Sequence, residues 1–179
     1  MKIRKYKLLN CINKIFYFKM SNLINKLINP IDVENLLKKE QIDYHIQEHE
    51  EVKTALEYAE KVKCTNNIDF DFIKNLVFKT KSGNFVYYLL GVEQKMETKA
   101  LESFSCEKNL RAAEDLHLEQ YLSVKKGSVN PFALLNTGED KDKFIVIFDV
   151  SLSKDYIAIH PMKNTHSIFM KKNDLLNLL

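Results

Sequence analysis

The chain has 179 residues, 45% of them hydrophobic, enough for one cored domain with an extension and with no 18-residue apolar run to cross a membrane. The formal charge of +3 belongs to the N-terminus: residues 1–19 hold six of the 27 basic residues and no acid, so the rest, with 21 basic against 24 acidic, is net negative. That excludes a globally basic nucleic-acid binder and leaves only a local basic patch, while three scattered cysteines, Cys11, Cys64 and Cys106, exclude a disulfide framework and fit a reducing compartment.

Residues 1–29 read as a basic extension. Three readings stay open for residues 1–19: an arm, an organellar targeting segment, or sequence upstream of a start at Met20. The folded domain is expected over residues 30–179. Asp32 stands where a helix N-cap belongs, before Val33, Leu36 and Leu37 at helical spacing. Residues 41–51 read as a strand. His45 and His49 are four apart there, but no third ligand completes a site, so no metal is expected. Residues 54–62 read as a short helix with Ala55, Leu56, Ala59 and Val62 inward.

Residues 73–80 and 85–92 form the clearest hairpin, with Lys81, Ser82, Gly83 and Asn84 as its turn. Two helices follow, over 98–104 and 114–122. Gly127 and Pro131 then bracket a stiff loop, since glycine reaches φ values closed to other residues, proline fixes its own, and Asn130 before it is driven to extended geometry. The loop is expected to enter an apolar strand over 132–135. Residues 143–150 read as a buried central strand, 156–160 and 165–170 as two more, and Asn173-Asp174 as the cap of a last helix. Short strands interleaved with helices predict an α+β domain with a mixed, curved, barrel-like sheet surrounded by helices.

No Gly-x-Ser-x-Gly elbow, His-Glu-x-x-His pair or Gly-Lys-Ser/Thr phosphate loop occurs. What the chain offers is a rigid main-chain loop, a lysine at a strand mouth and a His-Pro turn. Those parts suit positioning and electrostatic stabilisation more than covalent catalysis.

Three blocks carry a resemblance: Phe72-Ile73-Lys74-Asn75-Leu76-Val77-Phe78, Gly127-Ser128-Val129-Asn130-Pro131-Phe132 and His160-Pro161-Met162-Lys163-Asn164-Thr165. In this order they resemble the signature segments of the YbaK/prolyl-tRNA-synthetase-associated domain family, nearest its PrdX-like and ProXp-ala branch. The resemblance implies that family's fold and the hydrolysis of mischarged tRNA(Pro) in trans. Alanyl-tRNA(Pro) is the first expectation, cysteinyl-tRNA(Pro) the alternative, and a non-catalytic tRNA- or synthetase-binding module the other. A second, smaller sieve is needed because a synthetase pocket rejects a smaller apolar side chain only weakly.

Residue by residue, the resemblance makes Lys74 the lysine that holds the terminal adenosine. The loop from Gly127 through Ser128, Val129 and Asn130 to Pro131 and Phe132 is the main-chain cradle of the aminoacyl group. His160 becomes the histidine of the pocket wall, with Asn75, Asn164 and Thr165 beside it. It implies catalysis without metal, cofactor or acyl-enzyme, in the cytoplasm. The partners implied are the acceptor end of tRNA(Pro) and prolyl-tRNA synthetase, with neither membrane nor DNA. Lys79, Lys81, Lys125, Lys126 and Lys163 are the candidate RNA contacts. Two departures bear on pocket shape: Ile73 precedes the lysine where the family often has threonine, and His49-Glu50 stands where it has His-Pro.

Overall fold

Ten residues of one strand, β3 (Phe70–Lys79), join the two halves of the sheet. The structure is a computed structural model and describes residues 15–18, 30–52, 54–149 and 151–179. In chain order the other elements are β1 (Ile15–Phe18), α1 (Pro30–Lys39), β2 (Tyr44–Glu48), α2 (Ala55–Lys61), β4 (Phe85–Gly91), α3 (Thr98–Ser105), β5 (Arg111–Ala112) and α4 (Asp115–Leu122). Two 3-10 helices follow, Pro131–Asn136 and Gly138–Lys143, and then β6 (Phe144–Asp149), β7 (Tyr156–Ile159), β8 (His166–Lys171) and α5 (Lys172–Leu178).

The strands run in the order β1-β6-β4-β3-β7-β8-β2, with β5 pairing β3 off this path. The β3–β7 and β4–β6 pairs are parallel and the others antiparallel. The sheet is mixed, as expected, but open: its ends, β1 and β2, do not pair, so the expected barrel-like closure is not formed. β1 lies within the basic N-terminal stretch and adds an edge strand against β6. The Met20 start and the rest of that stretch lie outside the described residues.

Alternating side chains sort the core onto two faces. One face carries Ile73, Val77, Tyr87, Leu89, Ile157 and Ile168, packed by α1, α4, the first 3-10 helix and α5. The other is covered in two parts. Helix α3 brings Leu101 to Phe78, Val86, Tyr88 and Leu90, and α2 brings Tyr58 and Val62 to Ala158 and Phe169.

Several local expectations needed correction. Helix α1 begins at Pro30, where a missing N–H costs nothing, so Asp32 lies in the first turn and is no N-cap. Of the residues expected inward over 54–62, Val62, the cap that follows α2, is buried, and so is Tyr58 four positions before it, whereas Leu56 is 64% exposed. Thr54 and Glu57 close a capping box that sets the helix start. Residues 132–135 are not a strand. Pro131 starts a 3-10 helix, Ala133 N–H donates to Asn130 C=O, and Phe132 to Leu135 are buried on every side. A short run buried all round has no period that separates strand from helix. The last helix starts at Lys172 after Lys171, so Asn173 and Asp174 lie inside it.

Candidate functional site

The site is a break in pairing along one edge of β3. Thr80 N–H donates to Asn84 C=O and Val92 N–H to Phe72 C=O, which fixes the phase of the hairpin. Main-chain groups of Phe72, Lys74, Leu76 and Phe78 therefore face β4, and those of Ile73, Asn75 and Val77 face the other edge. On that edge β7 pairs only as far as Phe72, opposite Ala158. Pairing resumes where Val77 C=O accepts from Ala113 N–H at 2.8 Å and β5 begins. A cavity of about 260 Å³ fills the interval.

Four segments distant in sequence wall it: Ile73, Lys74, Asn75, Leu76 and Val77 from β3; Val52, Thr54 and Tyr58 around α2; Lys126, Gly127 and Val129 from the glycine loop; and His160 and Asn164 from the loop after β7. Ala112, Ala113 and Leu118 close it. The volume lies just below the range of drug-sized pockets, so the space suits a small group.

Lys74 lines the cavity with its strand segment, while its ammonium donates to the carbonyls of Gln94 (2.7 Å) and Val92 (3.3 Å) just past β4. Asn75 Oδ1 accepts from the Tyr87 hydroxyl at 3.2 Å. Gly127 has φ +88°, and the C=O of Lys125, two residues before it, accepts from Ser128 N–H at 3.0 Å. This is a turn whose third position demands positive φ. Asn130 is fully buried, and its amide donates to Ser128 C=O and to Met162 Sδ, both at 3.0 Å. It thereby ties the glycine loop to the His160 loop, where Met162 itself has φ +60°.

The 160–165 loop is also held from the other side. His49 N–H donates to Thr165 C=O and Val52 N–H to Asn164 C=O. The Asn164 amide donates to Glu51 at 2.7 Å. His49 Nδ1 lies 2.7 Å from the Glu50 carbonyl, which only accepts, so Nδ1 carries a proton. In the neutral ring Nε2 then accepts from the Ser167 hydroxyl at 2.8 Å. Burial pushes the Tyr58 hydroxyl well up; the phenol leans towards Ser167, which partly offsets the shift, without completing a hydrogen bond. His160 Nδ1 is buried without a partner. Burial first, and then the neighbouring His49, push His160 down to about 4, so its ring is neutral at physiological pH.

Of the residues singled out from sequence, Lys74, Asn75, Gly127, Val129, His160, Asn164 and Lys126 meet at this one cavity. Ser128, Asn130, Pro131, Phe132 and Thr165 support it from behind, with Pro131 and Phe132 shut into the core. Lys81, Lys125 and Lys163 are exposed, and Lys79 Nζ lies 2.8 Å from His117 Nε2. Sequence reasoning missed Tyr58 and the two-residue β5. The spacing of Tyr58 and Val62 could have found the first. Nothing local marks the second.

The family model of the aminoacyl-tRNA editing domain matches residues 49–178. The chain is 31% identical over 137 residues, 75% of its length and 80% of the relative's, to the prolyl-tRNA editing protein ProX of Acetoanaerobium sticklandii. Among solved structures, the hypothetical protein APE2540 superposes with a TM-score of 0.64 at 14% identity, over 81% of this chain and 91% of that one. A structure described as a candidate trans-editing enzyme for prolyl tRNA synthetase gives 0.58 at 16% identity, over 83% and 90%. At such identities these two likenesses speak for the fold alone. The chain belongs to the aminoacyl-tRNA editing domain family.

Proposed function

We propose that this member of the editing-domain family is an aminoacyl-tRNA deacylase that acts in trans on mischarged tRNA(Pro). Alanyl-tRNA(Pro) is its first substrate and cysteinyl-tRNA(Pro) the alternative. The observation that carries the reading is the small cavity at the break in β3, where Lys74, Gly127, His160 and Asn164 converge from three segments. The likeness to a prolyl-tRNA editing protein supplies the tRNA. Residues 30–179 are the editing unit in this reading, and it works in the cytoplasm with prolyl-tRNA synthetase as a further partner.

Water attacks the ester carbonyl, the bond to the ribose oxygen breaks, and the proton from water ends on that oxygen. Among the cavity residues the only hydroxyls are those of Thr54 and Tyr58, and the raised Tyr58 phenol stays protonated. This favours direct hydrolysis over an acyl-enzyme. Lys74 supplies positive charge at the strand mouth for the acceptor end. Main-chain N–H groups and the neutral His160 offer hydrogen bonds without repelling the substrate's amino group.

The test measures release of amino acid from tRNA(Pro) charged with alanine, cysteine or proline. Wild type is expected to hydrolyse the first or second and spare the third, and Lys74→Ala to lose about a hundredfold in kcat/KM. Wild-type release no faster than the spontaneous rate refutes the reading.

A further inference from the structure

We infer that the aminoacyl group binds as a one-residue strand across the break in β3, with the Asn75 main-chain N–H donating to the ester carbonyl. The inference rests on the deacylase reading and adds the group that receives the developing negative charge. The hairpin phase directs the N–H and C=O of Asn75 to the edge opposite β4. On that edge β7 stops opposite Phe72 and β5 resumes through Val77. Among the described residues, no strand or turn pairs with the Asn75 main chain there, and the cavity lies against it. A half-buried strand edge that lines a cavity, with one donor and one acceptor free, calls for a ligand with the complementary pair.

An aminoacyl ester has that pair one residue apart, an α-amino donor and a carbonyl acceptor. Exchanged with Asn75, they reproduce the hydrogen-bonded pair of an antiparallel ladder. Residues opposite one another in a ladder put their side chains on the same face. The substrate side chain then lies on the face of Ile73, Asn75 and Val77, where Leu118 and Val129 limit its size. When water adds to the carbonyl carbon, the carbonyl oxygen gains the charge and the Asn75 bond strengthens. The charge is lost again as the ribose oxygen departs with the proton. A donor already fixed in a sheet needs no reorganisation to do this.

The experiment replaces Asn75 by its α-hydroxy acid counterpart, which keeps the side chain and exchanges the N–H for an ester oxygen. On the tRNA(Pro) ester that wild type hydrolyses best, kcat is expected to fall about a hundredfold with KM changed less than about threefold. A purely structural loss would instead lower the melting temperature and leave kcat of the folded fraction intact. Equal kcat for the two proteins overturns this inference and leaves the deacylase reading standing. A wild type without activity overturns both. Should the ester variant not fold, wild-type protein labelled with 15N decides, titrated with 3′-(L-alanylamino)-3′-deoxyadenosine, which cannot be hydrolysed. The Asn75 amide proton is expected to move downfield and its exchange to slow. Shifts at Gly127 and Val129 without one at Asn75 overturn the inference.

Discussion

Replacing His160 by glutamine should remove one identifiable part of the protein's acid sensitivity. In the fold, burial strips water from the imidazole and disfavours its charged form, and His49 adds to the effect, so the ring is pushed down to about 4 from 6.5. Unfolded chains therefore take up this proton first as pH falls. Above 6.5 neither state is protonated and the stability is intact. Between 6.5 and 4 the unfolded state binds the extra proton and stability drains away. From these two values the loss is about 1.4 kcal/mol at pH 5.5, about 2 kcal/mol at pH 5 and about 3 kcal/mol by pH 4. For a chain of this size 2 kcal/mol lowers the melting temperature by roughly 4–8 °C. The assay is thermal denaturation of wild type and His160→Gln at pH 7.5, 6.5, 5.5 and 5. The other titrating groups are common to both proteins, so the gap between the curves reports His160 alone. The variant should lose less stability than wild type on acidification. Parallel curves would show that His160 is not held neutral, and the neutral ring assigned to the cavity wall would fall with that result.

What could be read without the fold was whatever local pattern controls. The β3–β4 hairpin was legible because its arms are apolar and Gly83, at φ +89°, completes a turn that Lys81, Ser82 and Asn84 also favour. The helix after Thr54 was legible as a short helical run, and in the fold the capping box of Thr54 and Glu57 fixes where it starts. Residues 132–135 misled because Phe132, Ala133, Leu134 and Leu135 are buried in all directions, so amphipathic period carries no information there. At the site, sequence singled out Lys74, Gly127 and His160 in separate blocks but could not say what brings them together. That is decided by where β7 and β5 stop along one edge of β3, a matter of long-range pairing. The lowered His160 is likewise set by burial and by His49, which lies 111 positions earlier in the chain.

If Lys125, Lys126 and Lys163 contact the acceptor end, tRNA affinity should fall about twentyfold between 50 and 200 mM salt, the slope expected for about three neutralised phosphates. The double change Lys125→Ala, Lys126→Ala should flatten that slope by one to two, and a wild-type affinity indifferent to salt removes the patch. The glycine loop yields the sharper test. A Cβ at position 127 would meet nothing within 4 Å, so crowding does not forbid a side chain there. The φ of +88° does, because left-handed backbone costs an L-residue other than glycine about 1–2 kcal/mol. Gly127→Ala must either carry that strain or rotate the turn that Lys125 C=O and Ser128 N–H close, which displaces Val129 from the cavity. The protein should then lose about 1–2 kcal/mol of stability by urea denaturation and more than about tenfold in deacylation. Ser128 is partly exposed and its side chain does not line the cavity, so Ser128→Ala should cost less than about 0.5 kcal/mol of stability and less than about twofold in deacylation. A larger loss from Ser128→Ala than from Gly127→Ala would mean that a side chain, and not the geometry of the main chain, holds the substrate at this loop.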